Sequence, residues 1–392
     1  MRHLLLAAAQ AALLAALAAC GSSDPQDFRV IVSNGPVYEV PARDAPPVKP
    51  VPRPAGRGTM ILEGGGSPLD QASQLTVAFA GTTPVLCLID AATKGGGDPY
   101  HKFDKVGGFR MLTVAITPSN AQQARVIEAL EGCTGYYFNG GNPLLLSQAL
   151  RPNAEDSPAT KVIRKRFEEN GAVVAGTAAG SMIVGDLTLC ECGPESSVEA
   201  LTEGRVFEAP GLVFVHGVLI DTQIFSRGLL GRHLYAMADT KEPVGVGIDD
   251  TTAVIVPGNG GLWQVIGDGS VALVKRGKGT TPDRLEGFTV SLLNAGDRFD
   301  PATGHIVVAP ARKRLAMARD PAATPVEAAS IFDADAARGL IVALATSPAL
   351  SATGYDDKSG MMVKLKKKPE SAAFGNGASV SVLDLELGIS KP

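Results

Sequence analysis

The stretch Ala172-Val173-Val174-Ala175-Gly176-Thr177-Ala178-Ala179-Gly180-Ser181 has the residue types and spacing of a nucleophile's seat. A β-branched, alanine-rich apolar run meets two glycines four residues apart and then continues as a second apolar segment, which predicts a buried strand turning sharply into a helix. Small residues at both ends of such an elbow let the two backbones crowd together, and the middle residue is thrust out above the sheet. That middle residue is Ala178, and a methyl group attacks nothing. Ser181 is the nearest hydroxyl and the alternative nucleophile, but it lies in the first turn of the helix, about 5–6 Å along the axis from the tip. Thr177 precedes the tip and points to the other side of its strand.

The elements that must hold this elbow follow from periodicity. Thr59-Met60-Ile61-Leu62-Glu63 reads as a strand ending in Gly64-Gly65-Gly66, and two apolar strands follow at 85–90 and 111–116. Ser119 or Asn120 can cap a helix running to Leu130, and Tyr136-Tyr137-Phe138 leads through Asn139-Gly140-Gly141-Asn142-Pro143 into a helix over 144–150. An amphipathic helix over 160–170, stopped by Gly171, returns the chain to the elbow strand. Near-continuous apolar strands alternating with helices predict an α/β fold, a largely parallel sheet with helices on both faces. Ligands then bind at the carboxyl ends of the strands, where residues 64–66, 140–142 and 178–180 converge. The glycine loop at 64–66 lacks the dinucleotide fingerprint, so no cofactor is expected, and no metal either: Cys190 and Cys192 stand too close together for a structural zinc pair.

Outside this body, Arg2 and the apolar run 4–19 predict a signal peptide over 1–19, too short for a convincing membrane span. Leu17-Ala18-Ala19-Cys20-Gly21 looks like a bacterial lipobox, which implies a lipid on Cys20 and a membrane-anchored place in the cell envelope. A proline-rich tether is expected over 20–57, one α/β domain over 58–312, and a C-terminal extension over 313–392 forming a small α+β appendage. In that extension Thr324-Pro325 has the form of a helix start, and Lys364-Leu365-Lys366-Lys367-Lys368 that of a solvated strand edge. The net charge of −4, with no basic stripe, argues against nucleic acid as a partner. Cys87, Cys133, Cys190 and Cys192 allow three pairings in an oxidising compartment, with Cys87 and Cys133 reading as small core residues.

Several blocks, in order, carry a family resemblance: Gly64-Gly65-Gly66, Phe138-Asn139-Gly140-Gly141-Asn142, Gly176-Thr177-Ala178-Ala179-Gly180, the segment from Ile220 to Gly228, Gly231-Arg232, and Gly245 to Ala253. Together they resemble the cyanophycinase and peptidase E group, serine exopeptidases with a class I glutamine amidotransferase-like fold of flavodoxin-like layers. The resemblance implies a serine at 178 as nucleophile, a histidine at 223 as its base, and an oxyanion hole from loop N–H groups. Here Ala178 and Gln223 stand at those positions, and a glutamine amide has no usable basic lone pair. Gly141, Asn142 and Ala179 remain as N–H donors, and Arg227 and Arg232 as partners for an anionic peptide terminus. Among the remaining histidines, His216, His233, His101 and His305 are not placed near the elbow by any rule, and Glu195, Glu199 and Glu203 are possible third carboxylates. The expectation is a catalytically impaired, cyanophycinase-like lipoprotein able to bind a peptide or an acidic small molecule. The alternative is an active serine peptidase working through Ser181.

Overall fold

The structure, a computed structural model, describes residues 36–40, 44–93, 99–190 and 195–391. Signal peptide, lipobox and Cys20 lie outside the described residues, as does Cys192.

Six strands open the chain: β1 (Val37–Val40), β2 (Met60–Glu63), β3 (Val85–Asp90), β4 (Arg110–Ala115), β5 (Gly135–Phe138) and β6 (Val173–Thr177). They stand in the order β1-β4-β3-β5-β6-β2, and from β4 to β2 every pairing is parallel. Four antiparallel strands, beginning with Thr252–Val256 beside β2, complete a ten-stranded sheet. Alternate residues of each strand feed opposite faces, as period two requires: Cys87 and Ile89 pack with the helices Ala124–Gly132, Pro143–Leu150 and Pro158–Asn170, whereas Leu86 and Leu88 pack with the helix Asp70–Phe79. The expected layers, helices on both faces of a mostly parallel sheet, are present.

Local signals explain most helix boundaries. Asn142 accepts a hydrogen bond from Leu144 N and is followed by Pro143 at the first helical position. Ser157 caps the next helix through Thr160 N, and Gly171 ends it in the left-handed conformation at φ 66°.

The chain after 218 departs from expectation. Besides the four antiparallel strands that complete the first sheet, it builds a second, nine-stranded sheet that takes in the expected appendage. Val218–Thr222 and Val244–Ile248 form its parallel start, and Ser270–Lys275 and Phe288–Asn294 continue it antiparallel. The C-terminal strands Met361–Gly375 and Val380–Ser390 pair directly onto Phe288–Asn294, so the extension shares one apolar core with the helix Leu230–Thr240. Thr324-Pro325 opens no helix: Val326–Ala328 is a short strand beside Ser351–Asp356, and the helix starts later, at Ala336. Its β-branched residue and a free parallel partner outweigh the local capping signal. The lysine run is likewise no edge. Met361–Gly375 is paired on both sides, and Lys367 is buried with Nζ donating to Ala318 O and Ser347 O at 2.8 and 2.7 Å.

Two further features differ from the expected outline. Residues 36–40 and 44–57 touch the body, Val37–Val40 as the edge strand beside β4, Pro47 bridging to Gly107 and Gly56 to Asn170. Extended, proline-rich backbone suits such an edge because few donors are needed on the outer side. Cys87 and Cys133 are not free core thiols but a disulfide joining β3 to the end of the helix Ala124–Gly132. Cys190 is disulfide-bonded as well.

Candidate functional site

The elbow forms where the sequence places it. Ala178 sits between β6 and the short helix Ala179–Met182 with φ 49° and ψ −119°, a conformation non-glycine residues rarely adopt. Its N–H donates to Glu63 O at 3.1 Å, and its carbonyl accepts from Ser181 N and Met182 N. The flanking glycines are required by contact: a Cβ on Gly176 would lie 2.3 Å from Gly180 O, and one on Gly180 would lie 2.0 Å from Phe138 O. Ala178 is half-exposed at the rim, and Gly140 stands so close that a Cβ there would touch the Ala178 methyl at 3.4 Å. The loop 139–142 and the elbow tip therefore face one another, as the rim argument requires.

Ser181 does not face this rim. It is fully buried, and its Oγ lies 2.7 Å from Glu63 O and 2.8 Å from Gly176 O, so its single proton is held by carbonyls of β2 and β6. The hydroxyl clamps the elbow to the sheet.

Gln223 arrives from the second sheet. It follows Val218–Thr222 and also holds a positive φ, 55°. The turn after it is anchored by Asp249, whose Oδ1 accepts from Phe225 N and Ser226 N at 3.2 and 2.9 Å. Ser197 Oγ donates to Gly228 O at 2.6 Å. From the C-terminal extension, Asp335 N donates to Phe225 O at 2.8 Å, and Phe332 O fills the space a Cβ on Gly228 would need.

The carboxylate beside Gln223 is one that sequence reasoning missed. A Cβ built on Gly65 would lie 3.4 Å from Asp250 Oδ1 and 3.5 Å from the Gln223 Cδ, which sets that carboxylate and amide together above the glycine loop. Asp250 belongs to the short link between Val244–Ile248 of the second sheet and Thr252–Val256 of the first. Its neighbour Asp249 turns inward to the Phe225 turn while Asp250 turns to the rim, an alternation that two adjacent acids after a buried strand could have signalled. Asp250 Oδ1 is buried and takes no hydrogen bond, and Asn139 Oδ1 and Ser226 Oγ are in the same condition. Glu199, by contrast, completes a helix capping box, Glu203 pairs with Arg205, and the Glu195 carbonyl accepts from Arg232.

Other expected binding groups are committed elsewhere. Arg232 is buried, with Nη2 donating to Asp221 Oδ1 at 2.7 Å and Nη1 to Glu195 O at 3.1 Å. Asn142 N donates to Ala92 O, which removes that N–H from the donor set, and its side-chain Oδ1 accepts from Leu144 N to cap a helix. Ala179 begins the elbow helix, whose leading N–H groups have no intrahelical acceptor, and Gly141 stays exposed at φ 135°. Arg227 is exposed at the rim, its Nη1 reaching Gln223 Oε1 at 3.4 Å. His233 is buried against Gly245, 3.6 Å from Asp221 Oδ2; His216 pairs with Asp186 and His101 with Asp104.

Two buried carboxylates underlie the site. Burial raises the Glu63 carboxyl, partly offset by Lys102 Nζ at 3.3 Å and by the Tyr137 hydroxyl, which donates at 2.9 Å. Burial also pushes Asp221 upward, but the Arg232 charge, His233 and the Thr222 N–H together outweigh it, so its carboxyl lies below the usual range.

No family model matches the chain. A cyanophycinase of Synechococcus elongatus is 28% identical over 227 residues, covering 56% of this chain and 68% of the relative. One from Geminocystis herdmanii is 26% identical over 266 residues, 63% of this chain and 95% of the relative. Among solved structures, a peptidase from an acI-B1 Actinobacterium aligns over 63% of this chain and 98% of its own with 17% identity and a TM-score of 0.49.

Proposed function

We propose that this chain, which belongs to the cyanophycinase and peptidase E family, is an envelope lipoprotein whose hydrolytic centre is lost and whose rim still binds peptide. One observation carries the reading. Ala178 keeps a nucleophile's strained conformation and exposure with only a methyl at the tip, while Gln223 occupies the base position beside Asp250. Backbone held in a sparsely populated region persists where surrounding structure over-determines it, and such strain clusters at ligand sites. The class I glutamine amidotransferase-like assignment of the layers belongs to the same proposal, as does lipid attachment at Cys20.

The burial of Ser181 and the two carbonyls on its hydroxyl oppose the rival reading in which it serves as nucleophile. A fluorophosphonate probe separates the two. We expect no serine labelled and no cleavage of β-aspartyl-arginine, whereas hydrolysis abolished by Ser181→Ala would overturn the proposal. The constructive counterpart is the double change Ala178→Ser with Gln223→His. Hydrolysis is expected to appear in it, because the elbow geometry and the carboxylate beside residue 223 are already in place.

A further inference from the structure

Around the rim, buried carboxylates find cations or backbone donors: Asp221 and Glu63 meet cations and Asp249 accepts two N–H groups, with Asp221 Oδ2 left without a hydrogen bond. Arg232 meets Asp221 at 2.7 Å and Lys102 meets Glu63 at 3.3 Å, yet Asp250 has a buried Oδ1 with no donor, beside glycines that offer no side chain. A desolvated carboxylate oxygen without a donor is costly, and native structures rarely leave one unexplained. The Gln223 amide lies beside it above Gly65, and no hydrogen bond joins the two. Asp250 as a residue is only half-buried, so its carboxylate is reachable from the rim. At the elbow tip the leading N–H of Ala179 has no intrahelical acceptor, and Gly141 is exposed in the loop that faces the tip.

From this juxtaposition we infer that Asp250 is the receptor for a ligand's positive charge: the site binds a zwitterionic peptide, its free ammonium on the Asp250 carboxylate and a carbonyl or carboxylate over Ala178 toward Ala179 and Gly141. The inference rests on the peptide-binding reading and names the group that recognises the amino terminus. The chemistry is a charge-assisted hydrogen bond to a half-buried carboxylate, worth about ten- to hundredfold in affinity. The Ala178 methyl gives the ligand backbone an apolar floor instead of an attacking oxygen. The site therefore holds its ligand without cutting it.

The test is calorimetric titration of the whole protein with β-aspartyl-arginine, with its N-acetylated form and with its C-terminal amide. Free-amine dipeptide should bind, acetylation should weaken it at least tenfold, and Asp250→Asn should weaken the free-amine dipeptide equally while leaving the acetylated one unchanged. Thermal unfolding of the variant checks that it is folded. Gln223→His provides a second handle, since a protonated imidazole beside Asp250 should compete with the ligand and weaken binding more at pH 6 than at pH 8. Binding that ignores acetylation, or that Asp250→Asn leaves intact, overturns the ammonium assignment while peptide binding stands. If none of the dipeptides binds, the peptide reading fails and the assignment falls with it.

Discussion

The elbow at Ala178 and the turn at Gln223, the two halves of the proposed site, each have a non-glycine residue at positive φ, but they are held by different means. The elbow is secured by its own sheet: Glu63 O takes both Ala178 N and Ser181 Oγ, and Gly176 and Gly180 let strand and helix touch. The turn is secured from three distant places, by Asp249 of the inter-sheet link, Ser197 of an upstream helix, and Phe332 and Asp335 of the C-terminal extension. One half is local and self-supporting. The other is a product of the whole chain, and the extension acts on the site by bracing that half.

The largest effect separating the two halves should come from Asp221→Asn. It leaves the buried Arg232 guanidinium uncompensated under the Gln223 turn, and we expect about 3–5 kcal/mol of lost stability in urea unfolding. A loss under about 1 kcal/mol would mean that the ion pair does not hold the turn.

Gly228→Ala should come next. Its φ of 63° and the Phe332 carbonyl 1.8 Å from the added Cβ predict a cost of about 1–3 kcal/mol. Hydrogen exchange should rise over residues 223–230 and stay unchanged over 176–182; equal rises in both would erase the distinction between braced and self-supporting halves.

Ser181→Ala is the corresponding cut on the elbow side, expected to cost about 1 kcal/mol by removing a buried hydroxyl bond. Here the exchange pattern should invert, with the elbow loosened and the turn unchanged.

The smallest and most diagnostic contrast is in pH. Asp221, depressed in the fold, contributes stability that is present above the unfolded value of about 3.9 and is lost as pH falls through its lower folded value. Glu63, raised by burial, contributes stability that is present below about 4.3 and is lost as pH rises through its higher folded value. Stability differences from Asp221→Asn and Glu63→Gln, followed from pH 3 to pH 7, should therefore slope in opposite directions. Parallel slopes would show that one of the two carboxylates has been assigned the wrong direction.

What could be read from the sequence follows the same division. The apolar run 172–175, the glycines at 176 and 180 and the Asn142-Pro143 helix start are all local signals, and the structure realises each of them. Asp250 was missed although two adjacent acids after a buried strand must turn opposite ways; the crossing from one sheet to the other decides which, aiming Asp249 at the Phe225 turn and Asp250 at Gln223. Arg232 was expected as a partner for an anion and Asn142 as an N–H donor; the Arg232 side chain is claimed by Asp221 and the Asn142 N–H by Ala92 O instead. The second sheet escaped for a similar reason. Strand pairing between Val380–Ser390 and Phe288–Asn294 spans nearly the whole C-terminal region, and period-two runs do not name their partners.

The backbone at Ala178 also bears on how easily this chain could change its trade. Forcing a residue to φ 49° and ψ −119° ordinarily costs about 1–3 kcal/mol, and here that conformation is already in place under a methyl group. An alanine codon becomes a serine codon, and a glutamine codon a histidine codon, by single-base changes. Neither replacement asks the main chain to move, so in mutational terms this rim stands two point mutations away from a candidate hydrolase.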